Sequence, residues 1–191
     1  MPEPSADASR EILLLGDQRL RRVSEPVSDF ESHEFREAAR ELIGTLERFR
    51  AVHGFGRAIS APQIGHTLRM IAMNLGNGPF LVVNPELSGL TERRFTMWDD
   101  CMSFPWLMVR VERHLHLNLK YLDEKGRPHA WSSVEQAVSE LVQHEADHLD
   151  GILAIDRALD RDAIIARSVY EAQRAFFDAQ VDYAITPTIR E

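Results

Sequence analysis

The chain of 191 residues, 44% hydrophobic and 27% charged, is long enough for one domain that buries most of its apolar surface. A net charge of −8 without a cluster of basic residues argues against a direct nucleic-acid site, and the single cysteine excludes an internal disulfide. No apolar run approaches the roughly 18 residues of a membrane span, and Met1 to Asp7 lack the basic and apolar regions of a signal peptide, so a cytoplasmic protein without membrane contact is expected.

In chain order, residues 1–10 are polar and expected to be mobile, and Ile12 to Leu15 read as a short extended segment ending in a turn at Gly16-Asp17. Apolar residues at helical spacing from Phe35 to Phe49 predict a helix over about 32–52, with Ser32 as N-cap and Gly54 as stop. Arg69 to Leu75 and Phe80 to Asn84 read as two strands joined across Gly76-Asn77-Gly78-Pro79. Strict alternation from His114 to Tyr121 predicts one strand, with Leu115, Leu117, Leu119 and Tyr121 facing the core and His114 and His116 solvated. After a turn at Asp123 to Gly126 and a strand near His129 to Trp131, Ser132 or Ser133 is placed to cap a helix that Asp150-Gly151 ends. A final helix is expected from about Arg161 to Asp182, its apolar stripe serving packing. With no regular βαβ alternation, the expected class is α+β with antiparallel strands: one domain over 11–182, helices at both ends of it, and a tail at 183–191.

The helix stopped by Asp150 contains His144-Glu145-Ala146-Asp147-His148. Two histidines four positions apart share a helix face, so both imidazoles can reach one divalent ion while the glutamate faces its open position. Unrelated peptidases share this string, and its meaning depends on the third ligand. Glu171, downstream, would suit a zinc endopeptidase; Cys101, upstream, would complete a Cys-His-His site with a fourth position for water.

The surroundings of Cys101 favour the second. Gly56 to Gly65, Asp99-Asp100-Cys101-Met102-Ser103-Phe104-Pro105 and Gln143 to His148 resemble, in order, the three motifs of the peptide deformylase family. Leu20 to Val23 with Pro26-Val27, Val83 to Leu87 and His148 to Leu153 match in spacing too, so the resemblance covers roughly residues 11–160. It implies antiparallel strands packed around a central motif-bearing helix. It also implies one divalent ion on Cys101, His144 and His148, iron(II) in many members and replaceable by zinc, nickel or cobalt. By the same resemblance Glu145 moves the proton, while the Gln63 amide and the Met102 backbone N–H donate to the oxyanion. Arg113 matches an arginine that braces Asp147 behind the ligands.

The implied substrate is the formyl-methionyl end of newly made polypeptides, met as a nascent chain with transient ribosome contact. The positions facing it are Gly56, Arg57, Ala58, Asp99, Asp100, Glu140 and Leu141, and here the chain departs from the pattern. Ala58 replaces a glycine, Asp99 and Asp100 stand for the usual Glu and Gly, and Arg57 and Glu140 fall where the family lines its methionine pocket with apolar residues. Burying a methionine side chain gains about 1.5–3 kcal/mol, whereas a buried unpaired charge costs several. Either the two charges point outward, or they pair across the rim, or the formylated substrate is more polar. A non-catalytic, deformylase-like binding protein is the remaining alternative.

Overall fold

The computed structural model describes residues 8–185, so the expected mobile start and the tail fall outside it at 1–7 and 186–191. Arg10, placed in the mobile segment by its sequence, instead donates its backbone N–H to Thr45 Oγ1 at 2.9 Å.

Helix α1, His33–His53, begins where the Ser32 hydroxyl accepts from Phe35 N and ends at Gly54, close to the expected bounds. Its stripe of Phe35, Ala38, Leu42 and Leu46 is buried against Ile59, Met70, Ala72, Leu81 and Val83, each large side chain contributing about 1.5–3 kcal/mol. Those partners lie on strands β1 (Ala58–Ser60), β2 (Met70–Asn74) and β3 (Pro79–Ser88). β2 and β3 form the expected hairpin. Strands β4 (Arg94–Asp99), β5 (Leu107–His114), β6 (Asn118–Leu122), β7 (Pro128–Trp131) and β8 (Ile164–Ala166) complete an α+β fold. A five-stranded sheet, β1-β2-β3-β6-β7, accompanies a three-stranded one, β4-β5-β8, and every pairing within them is antiparallel.

Helix α2, Gln136–Leu149, is buried from Ser139 to Ala146 and again at His148 and Leu149. A helix enclosed on all sides must satisfy its polar residues internally. The Ser139 hydroxyl donates to His114 O at 2.8 Å, and Gln143 exchanges two hydrogen bonds with the His114 backbone, both at 3.0 Å. These bonds tie α2 to the end of β5 and fix the rotation at which His144 and His148 emerge. At its far end Gly151 has φ +72°, and a Cβ there would lie 2.5 Å from the Arg21 carbonyl oxygen, so only glycine fits.

Three expectations need correction. The alternating run His114 to Tyr121 is not one strand: β5 ends at His114, and the chain crosses from one sheet to the other before β6. Leu115 packs with the core of the small sheet, whereas Leu117 and Leu119 pack with that of the large one, so alternation persisted through the crossing. His114 and His116 are half-buried, each with Nδ1 on a main-chain carbonyl, of Thr91 and Val134.

Neither Ser132 nor Ser133 caps α2, whose N-cap is Glu135. Val134 is drawn out of the helix, buried, with its N–H on Leu117 O at 2.8 Å. The single terminal helix is replaced by β8 and two short helices, α3 (Arg167–Ala172) and α4 (Arg174–Asp178). The open edge of β5 captures Ile164 to Ala166 in its ladder, and backbone bonds to a sheet edge outweigh helical propensity in so short a run. The predicted stripe breaks accordingly: Tyr170 and Phe177 are buried, while Ile164, Val169 and Phe176 are exposed.

Candidate metal centre

Beyond Asp99 the chain turns sharply, Phe104 N–H donating to Cys101 O at 3.1 Å, which directs the Cys101 side chain toward α2. The Cys101 Sγ lies 3.2 Å from His148 Nε2. Ligand atoms of Cys101, His144 and His148 all fall within 4.8 Å of one another, and all three residues are buried. Glu171 does not join this cluster; it stands on α3 at the wall of the adjoining cavity.

The donor set fits one divalent ion. Burial pushes the Cys101 thiol up, and burial together with the charge of His144 pushes His148 well below the ordinary histidine range. A thiolate in so dry a place requires a compensating cation, and a neutral His148 offers its lone pair. His144 turns Nδ1 toward Asp99 Oδ2 at 2.9 Å, the tautomer that leaves Nε2 for a metal. Burial opposes charge on His144, but Asp99 and then Cys101 hold it well above the ordinary range, so an incoming ion displaces a proton there.

Asp99, expected on the substrate side, lines the cavity, and its Oδ2 also serves His144 and, at 3.1 Å, Arg113. Arg113, 4% exposed, also reaches Asp147 at 2.6 Å, so a buried chain of charges runs from Asp147 through Arg113 and Asp99 to His144.

Glu145 is buried beside His144, and burial raises its carboxyl. Its Oε2 accepts from the Ser60 hydroxyl, which is also 3.0 Å from the Glu145 main-chain oxygen. Ser60 was not among the expected functional residues; its one signal was that it stands where the resembling motif has alanine. Gln63 sits in the 3₁₀ turn Ala61–Ile64 just after β1. Its Oε1 accepts from Ser60 N–H at 2.8 Å, which orients the amide so that Nε2 lies 3.6 Å from Cys101 Sγ and 3.2 Å from Ser103 Oγ.

A cavity of about 350 Å³ adjoins this cluster, with Cys101, His144, Glu145 and Gln63 among its lining residues. Gly56, Arg57, Ala58, Asp100, Met102, Glu140 and Leu141 line it as their positions suggested. Gly56 has φ +118°, and a Cβ there would lie 2.8 Å from Met102 Cε, so a side chain would crowd the mouth. Arg57 and Glu140 do not point outward from the cavity: their side chains pair, 11% and 2% exposed, and both still line it. Burial pushes the Glu140 carboxyl up to about 7, against the pull of Arg57. Trp98 of β4, Met108 of β5, and Arg167 and Tyr170 of α3 also line the cavity; no local pattern marks the first two, and the expectation of one packing helix over 161–182 hides the last two.

Comparison with known proteins agrees with this arrangement. The profile of the polypeptide deformylase family matches residues 9–163. A peptide deformylase of Treponema pallidum is 34% identical over 148 residues, covering 77% of this chain and 86% of that protein. The crystal structure of the Thermotoga maritima peptide deformylase superposes with a TM-score of 0.71 at 32% identity, over 80% of this chain and 99% of that one. A class I type b peptide deformylase from Acinetobacter baumannii, solved with Met-Ala-Ser bound, gives 0.68 at 25% identity, over 78% and 98%. The chain thus belongs to the polypeptide deformylase family, metal-dependent hydrolases that remove an N-formyl group.

Proposed function

We propose that the chain hydrolyses the formyl amide at the amino end of peptides, releasing formate, and does so in a bacterial cytoplasm on nascent chains met near the ribosome. The observation that carries this reading is that the cluster of Cys101, His144 and His148 adjoins a cavity that Cys101 and His144 line together with Glu145 and Gln63. Cys101, His144 and His148 would hold one divalent ion, iron(II) in the cell with zinc, nickel or cobalt as substitutes, and when bound it would supply Lewis acidity that brings the pKa of water toward about 7.

The protein's own groups do the rest. Glu145, its carboxylate oriented by Ser60, accepts a proton from the attacking water and returns it to the departing amine; a carboxyl raised by burial suits both tasks. The Gln63 amide, held by Ser60 N–H, and the Met102 N–H donate to the oxygen that becomes negative, where losing one donor costs about 2.7–4 kcal/mol of transition-state stabilisation. Asp99 and Arg113 keep His144 in one tautomer and orientation. The peptide that follows the formyl group extends into the cavity lined by Gly56 and Ala58; that a relative was solved with Met-Ala-Ser bound supports a peptide as the ligand. Formate release by anaerobically iron-loaded protein on formylated tripeptides tests the proposal, with Glu145→Ala expected to abolish turnover while retaining metal. Release that survives Glu145→Ala would refute the assigned role.

A further inference from the structure

One wall of the cavity is more polar than formyl hydrolysis requires. Arg57 enters from just before β1 and Glu140 from α2, one turn ahead of His144, and they meet through Nη2 and Oε1. Arg57 Nη1 also donates to Ala137 O at 2.7 Å. A second pair, Arg167 with Asp100 at 2.7 Å, lines the same cavity. These two paired arginines and carboxyls leave no free charge of either sign between them but many hydrogen-bonding groups.

That balance discriminates among side chains. An apolar group seated there strips water from the pairs and returns no hydrogen bond. A charged group meets an opposite charge that is already engaged, with a like charge beside it. A group that both donates and accepts suits the wall, because a guanidinium has five N–H donors, of which Ala137 O and Glu140 take two, and a carboxylate accepts at several sites. The pair also stands in the cavity wall one helical turn from His144, where a long side chain would meet it.

Resting on the deformylase chemistry but replacing its formyl-methionyl nascent-chain substrate, we infer that the formyl-bearing residue of this chain's substrate has a short hydroxyl or carboxamide side chain, recognised by Arg57 and Glu140. The test compares kcat/KM of iron-loaded protein on formyl-Ser-Ala-Ser, formyl-Asn-Ala-Ser and formyl-Met-Ala-Ser. Ser or Asn should exceed Met by at least about tenfold, and the Arg57→Ile/Glu140→Leu double variant should reverse that order. Calorimetric titration with the deformylated products Ser-Ala-Ser and Met-Ala-Ser should rank affinities the same way in the wild-type protein, independently of turnover and of how the variant folds. Equal or Met-favouring rates overturn the inference and leave deformylation standing; an unchanged order in a folded double variant overturns the assignment to Arg57 and Glu140. Formate from none of the three peptides overturns the deformylase reading and the inference with it.

Discussion

Asp147 accepts from two arginines in opposite environments, which makes Arg113→Met and Arg157→Met a matched pair. Arg113 is 4% exposed and bridges Asp147 at 2.6 Å to Asp99 at 3.1 Å. Arg157 is 46% exposed and makes its 2.7 Å contact at the surface. Removing Arg113 leaves Asp99 buried with only His144 as a partner, and breaking a buried pair in this way costs about 3–5 kcal/mol. For a chain of this size that is a fall in Tm of roughly 6–20 °C. Removing Arg157 takes away a solvent-screened contact worth about 0.2–1 kcal/mol. Urea unfolding of chelator-treated protein measures both. Because Asp99 orients His144, Arg113→Met should also weaken metal affinity by about 10–100-fold while Arg157→Met does not. Losses in the two variants within about 0.5 kcal/mol of each other would refute the claim that burial sets the strength of this chain of charges.

Cys101→Ala should lose bound metal and Glu171→Ala should retain it, measured by metal content after gel filtration; the reverse would favour a zinc-endopeptidase site. Ser60→Ala removes the hydroxyl from the buried Glu145 carboxylate and should destabilise metal-free protein by about 1–3 kcal/mol in denaturant titration, whereas Ser60→Thr, which keeps the hydroxyl, should recover part of the loss. Gly151→Ala sets a methyl against the Arg21 carbonyl at positive φ and should cost at least about 2 kcal/mol by thermal unfolding; a loss below about 0.5 kcal/mol would mean the chain relaxes there.

The parts of the site legible in the sequence were those that local geometry decides. His144 and His148 share a face because a helix repeats every 3.6 residues, and α1 was readable from its stripe and caps. Cys101 and Gln63 came from ordered motifs, since nothing local says that a turn after β4 and another after β1 converge on α2. Ser60 on Glu145 and Arg57 on Glu140 are contacts between elements 85 and 83 residues apart, which no periodicity encodes. The errors were local too. Alternation is blind to which sheet a leucine faces, so the crossing between His114 and Asn118 looked like one strand. An apolar stripe says nothing of an open β5 edge that competes for its first residues.

That crossing gives the metal centre a mechanical meaning. Cys101 hangs from the small sheet, Ser60 and Gln63 from the large one, and α2 supplies the two histidines between them. An ion held by Cys101 and by the two histidines of α2 would act as a rivet across the seam, and at a concentration a thousandfold above its Kd it would add about 4 kcal/mol against parting the layers. Loss of the ion should therefore register first as loosened amide-exchange protection along β4 and β5, ahead of the hairpin of β2 and β3, which α1 clamps from outside the seam.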